Sequence, residues 1–226
     1  MNRILGVLIF CVCFLLQLNS QANLKIGYES VYLSSEQNRI AVDGFNEAFS
    51  ETLEQGKELR PLGFMNGLTI GVSYKWDFMR LSANWHSSSR RREAYGEDPV
   101  TEIAFEREIR YRITGLNLQY ELLYDRYSAG ISAGRDVFGM TSLIGSTDND
   151  RTILDEVAYN IRFNLGFRLI TTEKVSMYLE PYYTLLLDDI NHENEFIFLE
   201  VPSEPSGLFD RPHYFGIQLT FHNGLQ

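Results

Sequence analysis

Tyr159-Asn160-Ile161-Arg162-Phe163-Asn164-Leu165-Gly166-Phe167-Arg168-Leu169 is the stretch that decides the fold. Successive side chains of an extended strand point to opposite faces, so Tyr159, Ile161, Phe163, Leu165, Phe167 and Leu169 share one face. Asn160, Arg162, Asn164, Gly166 and Arg168 share the other. No 3.6-residue helical stripe fits these positions. A strand of this length, rising about 3.3 Å per residue and tilted as barrel strands are, would cross a hydrocarbon layer of about 25–30 Å. The stretch reads as one membrane-crossing strand of a closed barrel.

The same alternation recurs in Leu24–Tyr32, Asn66–Trp76, Met79–Ser87, Glu102–Leu123, Tyr127–Arg135, Val175–Leu187 and Pro212–Phe221. Within Glu102–Leu123 the apolar set runs Ile103, Phe105, Ile109, Tyr111, Ile113 and then slips by one residue to Leu116, Leu118, Tyr120. A β-bulge at Thr114–Gly115 would account for the slip. Pro181 lacks a ladder donor and counts against a central position for its strand. Short connections (Asp77–Phe78, Tyr124–Arg126, Thr171–Lys174) alternate with long ones (Ser34–Phe64, Ser88–Val100, Asp136–Glu156, Asp188–Arg211). Outer-membrane barrels have even strand numbers, short periplasmic turns and longer extracellular loops. The predicted fold is therefore all-β, a closed antiparallel eight-stranded up-and-down transmembrane β-barrel.

Two long connections carry apolar patterns of their own. Phe45, Ala48, Phe49 and Leu53 fit one helical face, with Asp43 as a start cap and Gly56 as an end. This predicts a helix packed over the barrel mouth, with a dedicated binding element as the alternative. The run Phe196-Ile197-Phe198-Leu199 either extends strands beyond the membrane or presents an apolar edge to a partner.

At the N-terminus, Arg3 precedes an apolar run from Ile4 to Leu18, and Ser20 and Ala22 have signal-peptidase spacing. Residues 1–22 are expected to be a secretory signal and 23–226 the barrel domain. An uncleaved helical anchor is the alternative, but the run is short for a span. Phe10 and Val12, directly before Cys11 and Cys13, do not suit lipidation. Both cysteines would leave with the signal, so no disulfide or thiolate site is expected. The chain has 20 basic and 30 acidic residues, a formal charge of −10 that becomes −11 without Arg3. Nucleic acid is not an expected partner, since a polyanion binder needs a basic patch.

Tyr214-Phe215-Gly216-Ile217-Gln218-Leu219-Thr220-Phe221 has glycine third, an apolar residue sixth and an aromatic eighth. Through Gly216, Leu219 and Phe221 it resembles the assembly signal of outer-membrane β-barrels. With the strand plan, the chain resembles the small eight-stranded outer-membrane barrels of the OmpA transmembrane-domain and OmpX type. The resemblance implies a Gram-negative outer-membrane location after export through the periplasm. It also implies contact with barrel-assembly machinery and surroundings of outer-membrane lipids and lipopolysaccharide. It implies no particular activity, because the family includes anchors, adhesins and enzymes.

A lipocalin-like secreted barrel would turn its apolar face inward. Membrane-length strands and Tyr and Trp near strand ends favour the outward arrangement. The lumen is then expected to hold Lys25, Glu29, Lys75, Arg80, Glu106, Glu108, Arg110, Arg112, Glu121, Arg162, Arg168 and Glu180. Eight strands leave room only for side chains, and unpaired buried charge is costly, so paired charges and a plugged lumen follow.

His86-Ser87-Ser88 resembles part of the motif of outer-membrane lipid A 3-O-deacylases, which would make Ser88 a nucleophile and His86 its base. Ser89 stands where that motif usually has Asn, and an ordinary polar pair in the lumen is the competing reading. Asp148, Asp150, Asp155 and Glu156, and Asp188, Asp189, Glu193 and Glu195, lack calcium-loop spacing. They read as solvated loop charge, with divalent cations shared with lipopolysaccharide as the alternative. His192, His213 and His222 lack paired ligand spacing, so neither metal nor cofactor is expected. The expected role is structural or surface-binding through extracellular loops that meet a ligand or protein partner. A lipid A acyl hydrolase is second and a narrow channel third.

Overall fold

A computed structural model describes residues 22–97, 99–144, 151–172, 175–201 and 208–223. Asp148, Asp150 and all of the expected signal except Ala22 lie outside the described residues. The barrel strands are β1 (Ala22–Leu33), β2 (Phe64–Trp76), β3 (Met79–Glu97), β4 (Ala104–Tyr124), β5 (Tyr127–Ile144), β6 (Arg151–Thr171) and β7 (Val175–Leu186). β8 (Ile190–Asn191) and β9 (Phe209–Asp210) form a separate two-stranded ribbon, and β10 (Tyr214–Asn223) closes the barrel between β7 and β1. Every neighbouring pair is antiparallel. Trp76 pairs with Met79 and Tyr124 with Tyr127, which leaves the two-residue turns Asp77–Phe78 and Asp125–Arg126. Asp77 and Asp125 have φ of 36° and 48°, a region that tight hairpins demand and Asp tolerates. Pro181 is accommodated where β7 makes no pairing toward β6, between Tyr182 and Leu179.

β3 to β6 have 19, 21, 18 and 21 residues, against 12, 13, 12 and 10 for β1, β2, β7 and β10. The four long strands rise as a sheet beyond the rim at the end opposite the short turns. Much of Ser88–Val100 and Asp136–Glu156, expected as loop, is therefore strand. The edge of β3 above its pairing with β2 is covered by the first long connection. Glu97 N donates to Thr52 O at 2.9 Å, Glu54 N to Tyr95 O at 3.0 Å and Tyr95 N to Lys57 O at 3.2 Å. That pairing uses donors and acceptors an exposed edge would leave free.

The wall obeys two opposite rules along its height. In the half nearest the short turns, large apolar side chains point outward and polar ones inward. Leu118 is 66% exposed, whereas Glu121 on the same strand is fully buried. In the other half most inward positions are apolar: Val31, Leu33, Met65, Tyr111, Ile113, Phe138, Met140 and Leu186 are buried. Outward positions there include the exposed Arg110 and Arg112.

This inversion corrects the reading of β4. Its register with β3 and β5 is continuous past Thr114 and Gly115, with no bulge. Odd residues point inward throughout. The apolar residues change parity because the strand passes from lipid outside and polar lumen inside to water outside and a covered mouth inside. Glu106, Glu108, Arg110 and Arg112, expected in the lumen, consequently lie on the outer face. The irregularities fall elsewhere, between Met140 and Thr141 against β6 and between Arg168 and Ile170 against β7.

Two helices cover the mouth. α1 (Glu36–Ala48) begins at Ser35, whose Oγ accepts from Asn38 N at 3.0 Å. Ser35, not Asp43, is thus the cap, and Asp43 lies inside the helix. Ala41, Val42 and Phe45 form its buried stripe, with the rings of Phe45, Phe49 and Phe105 4.8–6.2 Å apart. Gly56, with φ 82°, sits in the turns beyond the helix. α2 (Glu193–Phe198) contains most of the apolar run that was expected to be extended. Phe196, Phe198 and Leu199 are buried by it and Ile197 is exposed.

Candidate functional site

The lumen is the first region where charged chemistry gathers. Near the short-turn end, Lys25 Nζ lies 2.7 Å from Glu180 Oε2, and Arg80 Nε lies 2.7 Å from Glu121 Oε2 and spans to Glu180 Oε1 at 3.7 Å. Ser128 Oγ and Asn164 Nδ2 donate to Glu121 Oε1, and Arg80 stacks 4.7 Å from the Tyr178 ring centre. Higher up, Glu29 accepts from Ser88 Oγ at 2.5 Å, Gln218 Nε2 at 2.8 Å and Tyr182 OH at 3.3 Å. Arg162 donates to Thr184 Oγ1 and Tyr214 OH, both at 3.1 Å, and lies 4.2 Å over the Tyr182 ring. Tyr214 OH in turn donates to Asp136. Three cations, Lys25, Arg80 and Arg162, thus meet four carboxylates, Glu29, Glu121, Asp136 and Glu180. Arg168 sits at the lower rim, 3.9 Å from Asp125.

His86 faces the fourth carboxylate, Asp136. Its Nε2 lies 3.3 Å from Asp136 Oδ1, and Nδ1 is 3.2 Å from Asn117 Nδ2. His86, Gly115 and Asp136 form one cross-strand row. A Cβ on Gly115 would come within 2.0 Å of Asp136 Oδ1 and 2.6 Å of His86 Cε1. The glycine in β4 therefore leaves room for two side chains that meet over it. Gly216 does the same for the Tyr182 ring, which would lie 2.4 Å from its Cβ. Leu219 and Phe221 of the same strand face outward.

His86 and Ser88 point into the lumen and are buried, at 2% and 1% exposed. Ser88 donates its hydroxyl hydrogen bond to Glu29 and His86 faces Asp136, so the two side chains are engaged with different carboxylates.

A second constellation, formed across the cap, was not foreseen. His192 lies with Nδ1 2.7 Å from Glu195 Oε2 and Nε2 2.9 Å from Asp210 Oδ1. Ser35 Oγ donates to Asp210 Oδ2 at 2.6 Å and lies 3.5 Å from His192 Nε2. Asn38 Nδ2 donates to Glu195 Oε1 and to Tyr111 OH. Ser, His and Glu stand here in the order of a hydrolytic triad, but Asp210 takes the serine proton and also faces the imidazole. Burial alone would lower the His192 pKa, but the hydrogen bonds to Asp210 and Glu195 outweigh it and hold the ring at about 9. A ring already protonated at neutral pH cannot act as a general base. The cluster is a clasp joining α1, α2 and β9. Two other loop acids are also occupied: Asp188 Oδ2 accepts from Tyr159 N at 2.6 Å, and Asp189 pairs with Arg211 at 2.9 Å.

The outer wall carries a third feature. Along β4, Leu122, Tyr120, Leu118 and Leu116 face outward, followed by Thr114, Arg112 and Arg110. Tyr124 to Thr114 rises about 25 Å at ordinary barrel tilt, which is the height of a lipid-facing band. Arg135 on β5 is also outward, between Leu116 and Tyr159 of its neighbours. Below it, Ala83 and Ala133 floor an open apolar groove of about 980 Å³ walled by Trp85, Leu118 and Tyr159.

No family model matches the chain, and no curated protein matches it. Among solved structures it is similar to Ail, the attachment invasion locus protein of Yersinia pestis. That pair is 8% identical over 91% of this chain and 99% of that chain, with a TM-score of 0.49. It is also similar to Neisserial surface protein A, 9% identical over 90% and 97%, TM-score 0.46. Outer membrane protein AlkL is 16% identical over 92% and 90%, TM-score 0.43. Identities this low extend the likeness to barrel shape and no further.

The clasp had no local signature: Ser35 and Asp210 are 175 residues apart. The Ser-Glu step before an apolar-periodic run, Ser35-Glu36, was the one available signal for the helix start.

Proposed function

We propose that the chain is an integral outer-membrane barrel with a structural or surface-binding role, acting through its extracellular end and not through a pore or an active site. The filled lumen carries this reading. A charged network occupies its lower part, and an apolar plug under α1 and α2 its upper part. Exposed apolar side chains on the cap and loops, Ile40, Ile103, Ile197 and Phe209, support a contact surface for a ligand or protein. Lipopolysaccharide and neighbouring lipids surround it, and the barrel-assembly machinery recognises β10 during insertion.

Refolded protein should migrate differently on SDS gels before and after heating and give no ion conductance in planar bilayers. Conductance steps would favour the channel, and heat-insensitive, detergent-free solubility would favour a lipocalin-like barrel. For the hydrolase, lipid A from cells expressing the parent or His86→Ala should be identical by mass spectrometry. Loss of an acyl chain with the parent alone would assign the chemistry to His86 and Ser88.

A further inference from the structure

We propose that the outer wall across β3 to β6 binds one phosphorylated, multiply acylated glycolipid of the outer leaflet, with Arg112 and Arg135 on its phosphates and an acyl chain over Ala83 and Ala133. The proposal rests on the outer-membrane reading above. Arg135 stands at the top of an apolar wall, and neither it nor Arg112 has a carboxylate within ion-pair reach among the described residues. An outward arginine costs little near the interface and far more at the midplane; Arg112 lies above the apolar band, and Arg135, at the upper edge of the band, reaches head-group depth with its long side chain. A guanidinium there is matched by a phosphate, which it can hold through paired N–H donors.

Arg112 is already aimed. Its Nε donates to Thr114 Oγ1 at 3.0 Å and Ser87 Oγ at 3.3 Å, which leaves its terminal nitrogens for a ligand. Arg112 pairs opposite Gly139 and Arg135 opposite Leu116, so they stand four residues apart along adjacent strands, about 13 Å. That span suits a head group with two separated anionic groups better than a single phosphodiester. Thr114, Val137 and Gly139 form the low floor of the groove beside Arg112, and Asp155 marks its acidic limit. Arg110 lies beside Arg112 but is shared with Glu108 at 3.8 Å.

The opposite wall makes the comparison. There the outward residues near the upper rim are Tyr32, Phe64, Tyr183 and Phe215, an aromatic girdle without arginine. Arg112 and Arg135 both lie on the side with the small-residue groove.

The test is native mass spectrometry of the refolded full barrel mixed with equimolar diphosphorylated lipid A and phosphatidylglycerol. The parent should retain one lipid A in preference to phosphatidylglycerol by about tenfold, as two charge-assisted contacts predict. Arg112→Gln/Arg135→Gln should lose that preference, and Ala133→Trp, which fills the groove with the arginines intact, should weaken it. Both variants are checked for heat-modifiable migration. Equal retention of the two lipids by the parent, or undiminished lipid A retention by the folded double variant, would overturn the proposal. A parent without heat-modifiable migration would instead count against the barrel reading itself.

Discussion

Leu118 and Arg112 lie on the same outer face of β4, six residues apart, and answer to opposite surroundings. Around Leu118 the wall is apolar outside and hydrogen-bonded inside. Around Arg112 it is polar outside, with Tyr111 and Ile113 buried on the inner face. The lower half is held by paired charges in a space closed to water, the upper half by apolar packing beneath two helices. Burial is common to both halves, but the solvent outside decides which side chains are buried. One regular strand can satisfy both rules by changing the parity of its apolar residues.

Removing one partner from the lower network should have the largest effect. Arg80→Met leaves Glu121 and Glu180 without their shared cation and is expected to cost about 3–5 kcal/mol in urea unfolding from detergent. Arg80→Met/Glu121→Leu should recover part of that loss. A cost no greater than that of a surface change would mean the lumen is hydrated and the two halves less distinct. Next, Leu118→Arg should destabilise by about 2–4 kcal/mol in lipid vesicles, since it carries a charge into the hydrocarbon band.

The cap should respond to pH. The His192 pKa is raised from an ordinary 6.5 to about 9. Its contribution is therefore complete below about pH 6.5 and is lost as pH rises through about 9, an effect of up to about 3 kcal/mol. Burial would raise the Asp210 pKa, but its hydrogen bonds with His192 and Ser35 lower it, so its contribution is lost only in acid. Protection of the amides of residues 193–199, taken relative to their base-catalysed intrinsic exchange rate at each pH, should fall between pH 7 and 10, and His192→Gln should remove that fall. A parent with a flat profile would mean the clasp is not held by charge. The smallest effect belongs to Arg112→Leu, within about 0.5 kcal/mol, because that position already lies outside the apolar band. A cost equal to that of Leu118→Arg would erase the boundary between the halves.

The lower half was legible because the bilayer imposes one constant rule on it. Outward Leu, Phe and Tyr and inward polar residues alternate in all eight strands, and Asp77 and Asp125 mark two of the tight turns between them. The upper half was not legible by that rule. Ile109, Tyr111 and Ile113 alternate as well as any lipid-facing set, and a sequence does not say where the membrane ends. The parity change therefore read as a bulge at Gly115, a residue that serves instead to let His86 and Asp136 approach. Phe196 and Phe198, two residues apart, suggested a strand, but both are buried within a short helix. The clasp joins Ser35 and Asn38 to His192, Glu195 and Asp210, positions that only the closed barrel brings together.

The most direct measurement is a spin-label scan of β4, with single cysteines at residues 109 to 120 and collision with oxygen and a water-soluble nickel complex read at each. Labels at 116, 118 and 120 should favour oxygen, those at 110 and 112 nickel, and those at 109, 111 and 113 should be protected from both. Oxygen access at 109, 111 and 113 would mean that the strand slips at Gly115 and that the upper half is not inverted.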